Sequence, residues 1–230
     1  MRSSAPSPYG AATISRIDPN QITERKTEMD TKAMRRITYG LFILSAKENG
    51  RDNACIVNTL AQVTTSPNRV SLTVNKDDFT HDMILRTGEF NCSMLHTGAP
   101  FELFQHFGFQ SGRDVDKFAG YSGAVRANNG IYVLPQYANA WLAGKVFQTI
   151  DLGTHSLFLA DVTDCGVLGD QESMTYAFYQ SNVKVTPAKT VKKGWRCRVC
   201  GYVYEGETLP PDFTCPLCHH GVDDFEPIGL

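Results

Sequence analysis

Cys197 and Cys200 form one Cys-x-x-Cys pair and Cys215 and Cys218 a second, with fourteen residues rich in Gly, Pro and acidic side chains between them. Each pair can fold into a knuckle that aims two sulfurs at one point, and two knuckles supply four thiolates in a tetrahedron. That geometry suits zinc or iron alike. His219 and His220 follow the last cysteine, but four sulfurs already fill the coordination sphere. A module of about 35 residues cannot bury enough apolar surface to fold unaided, so the metal is expected to hold it together. Trp195, Tyr202, Tyr204, Phe213 and Phe225 are its expected core.

The remaining chain is long enough to build a core of its own. No apolar run approaches the roughly 18 residues that span a bilayer, and a net charge of −2 excludes a strongly basic nucleic-acid binder. The charge is unevenly spread. From Gly194 onward two Arg stand against six Asp and Glu, a net −4, which leaves the rest at +2. An acidic module beside a mildly basic body suits docking on a basic patch of a partner. Cys55, Cys92 and Cys165 are widely spaced in apolar contexts and read as buried core thiols, not a disulfide framework. Reduced thiolates and unpaired Cys point to a reducing compartment, read here as cytoplasmic.

Residues 1–33 are polar, without an apolar signal core, and read as a disordered leader or N-terminal extension. Strand signals then begin. Residues 38–46 are apolar and β-rich, Asn49-Gly50 marks a turn, and residues 54–65 continue as a second strand. Residues 70–75 alternate Val, Leu and Val with Ser and Thr. Residues 78–86 read as a helix started at Asp77 or Asp78 and stopped at Gly88. Residues 90–95 return to strand, and 100–107 form an amphipathic helix ending at Gly108. After a Gly-rich loop over 110–137, strands are expected over 141–150 and 157–164, with a last one at 176–179. Many short strands with few helices suggest a barrel or sandwich. Residues 184–193, with Pro187 and four lysines, read as a linker to the module at 194–230.

Resemblance names the chemistry. Cys200-Gly201-Tyr202-Val203-Tyr204, the Pro210-Pro211 turn and Cys215-Pro216-x-Cys218 resemble rubredoxins, which hold one redox-active iron, over about residues 194–228. His219 stands where rubredoxins usually carry Gly, and a side chain there is expected to crowd the backbone N–H that would bond a sulfur and tune the iron. Residues 34–183 resemble the flavin reductase-like family, which implies a mainly β, FMN-binding split β-barrel. Five stretches carry this, in order: Ile37-Thr-Tyr-Gly-Leu-Phe, Val57-Asn-Thr-Leu-Ala-Gln-Val-Thr, Val74-Asn-Lys-Asp-Asp-Phe-Thr-His81, the segment from His106 to Phe118, and Gly153-Thr-His-Ser-Leu-Phe-Leu-Ala-Asp161. The fusion is similar to the high-molecular-weight rubredoxins, NAD(P)H-linked proteins whose implied partner is a flavodiiron oxygen or nitric oxide reductase. The family also implies a homodimer with flavin at the subunit interface.

Within those stretches, Asn58, Thr59 and Gln62 offer amide and hydroxyl groups suited to the polar edge of an isoalloxazine ring. Asn75, Lys76, Thr80 and His81 lie at a strand-to-helix junction, where free N–H groups and the helix dipole suit the FMN phosphate. Asp77 and Asp78 oppose a phosphate and are expected to point away. Ser111 and Arg113 fall on the Gly-rich loop, where they could cover ring or phosphate. His155 matches the family's histidine at a strand start, beside flavin and nicotinamide. No Gly-x-Gly-x-x-Gly follows a strand, so nicotinamide would enter directly over the flavin.

The pairing has a chemical logic. NAD(P)H delivers two electrons as hydride, a single iron accepts one, and a flavin converts between them. About eight flexible linker residues span roughly 15 Å, which keeps the two centres close. Two other functions compete: a flavin reductase that releases reduced flavin beside a structural zinc ribbon, and a non-catalytic FMN-binding or zinc-ribbon interaction protein.

Overall fold

The computed structural model describes residues 29, 31–184, 194–199, 201–216 and 220–229. Most of the expected leader lies outside the described residues, as do the expected linker beyond Lys184, and Cys200, Cys218 and His219. Residues up to Ile37 form a unit by themselves, in which Thr31–Arg36 winds into a 3-10 turn.

From residue 38 onward the chain opens with a hairpin of β1, Phe42–Glu48, and β2, Arg51–Val57. Asn49 and Gly50 turn it with φ of 49° and 81°, the paired positive angles that a two-residue hairpin of native twist requires. A single strand over 54–65 is not what forms. The chain kinks at Asn58-Thr59, and β3, Leu60–Thr65, begins as a separate strand paired with β4, Asn68–Asn75, and not with β2. The Thr59 hydroxyl donates to the Thr73 carbonyl of β4, which ties the kink to the β3–β4 side.

Helix α1, Phe79–Thr87, follows β4 and ends at Gly88, whose φ of 71° lets its N–H reach the Ile84 carbonyl at 2.8 Å. Glycine takes that left-handed C-cap without a Cβ clash. Then come β5, Glu89–Leu95, helix α2, Phe101–Gly108, the minimal pair β6, Val125–Arg126, and β7, Tyr132–Val133, and two long strands, β8, Ala138–Asp151, and β9, His155–Val167. The last strand expected at 176–179 is helical instead, with turns at Tyr176–Phe178 and Tyr179–Val183. Thr175 caps it by accepting from the Phe178 N–H at 3.1 Å. The Tyr179 ring then packs 4.4 Å from Phe104 of α2. A cap and one buried ring override the strand propensity of the aromatics.

Seven strands form one antiparallel sheet in the order β2-β1-β5-β8-β9-β4-β3. Its two ends belong to one core: Cys55 and Val57 of β2 share a buried cluster with Val70, Leu72 and Val74 of β4, around Phe90 and Phe158. The sheet therefore curls round on itself, in keeping with the expected split barrel. A second cluster, with Ile43, Leu95, Phe104, Phe107 and Tyr179, packs α2 and the C-terminal turns on the outer face. Cys55 and Cys92 are buried as expected, but Cys165, near the end of β9, is exposed. Among the described residues no helix is long and apolar enough to cross a membrane.

The C-terminal module is a three-stranded sheet, with β10, Gly194–Cys197, between β11, Val203–Tyr204, and β12, Phe225–Ile228. Its apolar cluster holds the five expected rings together with Cys197 and Cys215.

Gly144 lies at a register shift of β8 opposite Phe90. A Cβ there would meet the Phe90 ring at 2.3 Å. Gly144→Ala is expected to destabilise the barrel by about 1–3 kcal/mol through overpacking. Urea unfolding checks this, with an unchanged midpoint as the contrary result.

Candidate functional site

The kink between β2 and β3 opens into a cavity of about 590 Å³, within the range of roughly 300–1,000 Å³ typical of small-molecule sites. Its wall includes Val57, Asn58 and Thr59 of the kink, Thr73 and Asn75 of β4, Asp77–Thr80 at the start of α1, and His155 at the start of β9. Residues 108–112 after α2 form a further wall. Asn75 and His155 are register partners, so the sheet itself brings them side by side. Thr80 is buried and accepts from the Asn53 amide at 2.9 Å. Gly112 lies so close to Asn53 that a Cβ would stand 2.1 Å from its carbonyl oxygen. Amide and hydroxyl groups in this wall make a donor set that fits a flavin ring.

Charge is built into the floor. Lys117 is only 3% exposed, and its ammonium donates to the carbonyls of Ala54 on β2 and Phe107 on α2, both at 2.8 Å. Burial lowers its pKa, opposed by the nearby Cys55 and Asp78. Burial likewise raises the Asp78 carboxyl, with Lys117 pulling the other way. Burial pushes the Cys55 thiol up to about 12, so this cavity-lining sulfur stays protonated and inert. At the rim Arg51 lies over the Phe79 ring at 4.4 Å and donates to the Gly112 carbonyl at 2.5 Å.

Six of the residues singled out from sequence come together in the cavity wall: Asn58, Thr59, Asn75, Thr80, Ser111 and His155. Four do not. Gln62 sits beyond the kink on exposed β3, with its amide on Asn68. Lys76 is held by Asp151 at 2.7 Å. His81 turns into the protein, with Nε2 2.9 Å from the Ser156 hydroxyl and Nδ1 3.1 Å from Asp82. Arg113 pairs with Asp82 at 2.8 Å. Asp77 and Asp78 line the cavity instead of pointing away from it, because the first turn of α1 faces the kink. Asn53 and Lys117 were not singled out. Lys117 is the one lysine between Lys76 and Lys145, a faint signal, since nothing in its neighbours announces burial.

The module supplies a second site. Cys197 and Cys215, one from each pair, are both fully buried in a single cluster with Phe225. In the first knuckle the N–H of Gly201, at φ of 84°, donates to the Cys197 carbonyl at 2.9 Å, and the Cys197 N–H donates to the Tyr202 carbonyl at 2.7 Å. In the second, the Cys215 N–H donates to the His220 carbonyl at 2.9 Å. Two buried sulfurs on tight turns fit a thiolate metal site. Pro216 and His220 of this second knuckle also line the cavity between β2 and β4, so the two sites share a wall.

Comparison with known proteins agrees with both halves. The family described as Flavin reductase like domain matches residues 34–187, and Rubrerythrin, rubredoxin-like domain matches residues 195–226. The high molecular weight rubredoxin of Moorella thermoacetica is 37% identical over 230 residues, which cover 87% of this chain and all of that protein. The ferric-chelate reductase (NAD(P)H) of Archaeoglobus fulgidus is 36% identical over 151 residues, 66% of this chain and 89% of its own. Among solved structures, an NADH:FAD oxidoreductase of Streptomyces globisporus shares the fold, with a TM-score of 0.57 at 21% identity over 66% of this chain and 92% of its own. The chain thus belongs to the flavin reductase-like family and carries a C-terminal rubredoxin-like domain, the arrangement of a high molecular weight rubredoxin.

Proposed function

We propose that this protein is an NAD(P)H-dependent oxidoreductase. It passes electrons from nicotinamide, through FMN in the cavity at the kink, to one iron held by Cys197, Cys200, Cys215 and Cys218. The observation that carries this is the shared wall: Pro216 and His220, flanking the second cysteine pair, line the same cavity as Asn58, Thr80 and His155. Bound there, FMN supplies the conversion of a two-electron hydride into single electrons.

The residues divide the work. Asn58 and Thr59 address the polar edge of the ring, and Thr80, at the start of α1, faces the phosphate together with the helix dipole. Lys76 and Arg113 hold exposed ion pairs, each with a single carboxylate oxygen, and such pairs contribute little. Both are therefore left out of the phosphate site proposed here. His155 borders the space over the ring where nicotinamide enters, and Arg51 at the rim suits its phosphates. Lys117 would supply a positive charge to a flavin bound in this cavity.

On the module, both arginines point inward, Arg196 onto Glu226 and Arg198 onto the Asp223 carbonyl. Exposed Glu207, Asp212 and Asp223 are left to meet a basic redox partner, of which a flavodiiron oxygen or nitric oxide reductase is the class proposed. A second copy of the chain is the partner proposed for the apolar cleft lined by Phe42, Leu60, Met94, Leu142 and Val162. The likeness of the barrel to a ferric-chelate reductase favours a second acceptor, a small ferric chelate reduced at the flavin directly.

Three outcomes are expected. Thr80→Val weakens FMN binding about tenfold, the ~1.4 kcal/mol of one hydrogen bond, and weakens riboflavin less; Lys76→Ala changes either by about twofold or less. Flavin fluorescence titration measures both, and equal losses for the two ligands would place the phosphate elsewhere. In anaerobic stopped flow, NAD(P)H bleaches FMN before or together with the red ferric-thiolate colour. Cys215→Ser abolishes that colour and keeps FMN reduction; rapid iron reduction in FMN-free protein would sink the route. Finally, raising salt slows transfer to the partner, because docking charges are screened beyond about 8–10 Å. A salt-independent rate would remove the acidic face from the docking surface.

A further inference from the structure

Among the described residues, contacts from separate parts of the chain join the C-terminal module to the barrel. Lys184 follows the helical turn Tyr179–Val183, and its own N–H donates to the Tyr179 carbonyl at 2.8 Å. Its ammonium donates to the Arg198 carbonyl at 2.6 Å and to the Val199 carbonyl. Arg198 and Val199 are the two residues between Cys197 and Cys200, so the cation grips the first knuckle by its backbone. Phe109, just after α2, packs into the cluster of Cys197, Cys215 and Phe225, with its ring 5.8 Å from Phe101. Pro216 and His220 of the second knuckle meet the cavity.

We infer that Lys184 is a positioning residue for electron transfer. It fastens the first knuckle to the barrel, with Phe109 as the apolar half of the same clasp, and so turns the second knuckle toward the flavin cavity. A covalent connection alone raises the local concentration of the module but leaves its orientation open. Two carbonyls accepting from one ammonium fix a direction, since hydrogen bonds weaken steeply away from linearity. A cation also suits this place, because the knuckle carries thiolates whose charge it complements. The clasp adds no chemistry of its own, and the inference rests on the electron route proposed above.

Lys184 lies outside the cavity wall, so its replacement separates docking from flavin chemistry. Full-length Lys184→Gln should keep the rate of FMN bleaching by NAD(P)H and lose about tenfold in the rate of iron reduction, the loss of roughly one charge-assisted hydrogen bond. Lys184→Arg should restore most of it. Small-angle scattering of the same proteins without added nicotinamide should show a larger radius of gyration for Lys184→Gln than for wild type and Lys184→Arg. Unchanged iron reduction and unchanged scattering in Lys184→Gln would overturn the clasp. So would a loss that Lys184→Arg fails to rescue. If wild type itself fails to reduce iron through flavin, the electron route falls, and the scattering result still decides whether Lys184 holds the module.

Discussion

Two sheet edges that belong to one core but do not pair with each other set the rest of the molecule. β2 and β3 lie at opposite ends of the strand order, yet only Asn58 and Thr59 separate them along the chain. The chain crosses the split at that point. A closed barrel would satisfy every edge group within its ladder; here the crossing leaves side-chain amide and hydroxyl groups facing a cavity. The Thr59 hydroxyl anchors one side of the kink on Thr73, and Lys117 anchors the other by joining Ala54 of β2 to Phe107 of α2. The cavity lies where the sheet fails to close.

Lys117 also decides the electrostatics. Burying an isolated ammonium is expensive by several kcal/mol, and two charge-assisted hydrogen bonds, each about 1.5–3 kcal/mol, offset much of that. The offset is incomplete, since burial still lowers the pKa of this group. Asp78 faces the same conflict with the opposite sign. One cavity thus holds a buried cation, Lys117, beside the carboxyls of Asp77, Asp78 and Asp114.

Local signals in the sequence were reliable where one or two residues control the backbone. Asn49-Gly50 marks the first hairpin, Gly88 ends α1, and the Cys-x-x-Cys spacing places Cys197 and Cys215 in one cluster. Signals that depend on distant partners were not legible. Residues 54–65 read as one apolar strand, because the break at Asn58-Thr59 follows from which strands β2 and β3 each pair with. Residues 176–179 read as strand, because the ring that receives Tyr179 is Phe104, far away in sequence. Gln62 was placed with Asn58 by proximity along the chain, and the kink separates them. His81 was placed with Thr80, but neighbouring positions on a helix face different sides, and Ser156 and Phe158 claim its ring. Lys117 is invisible for the same reason: its burial is dictated by Ala54 and Phe107.

The strength of the contact between module and barrel bears on how one iron can both receive and deliver electrons. Fusion through a short segment gives an effective concentration in the range of roughly millimolar, and a contact with an intrinsic dissociation constant near 1 mM corresponds to only about −4 kcal/mol. One ammonium on two carbonyls and one partly buried ring supply an interaction of about that size. A much tighter clasp would hold the second knuckle against the cavity and hide it from an external acceptor, while a much weaker one would leave the iron far from the flavin for most of the time. Among the described residues, Lys184, Phe109, Pro216 and His220 are groups that meet at this contact.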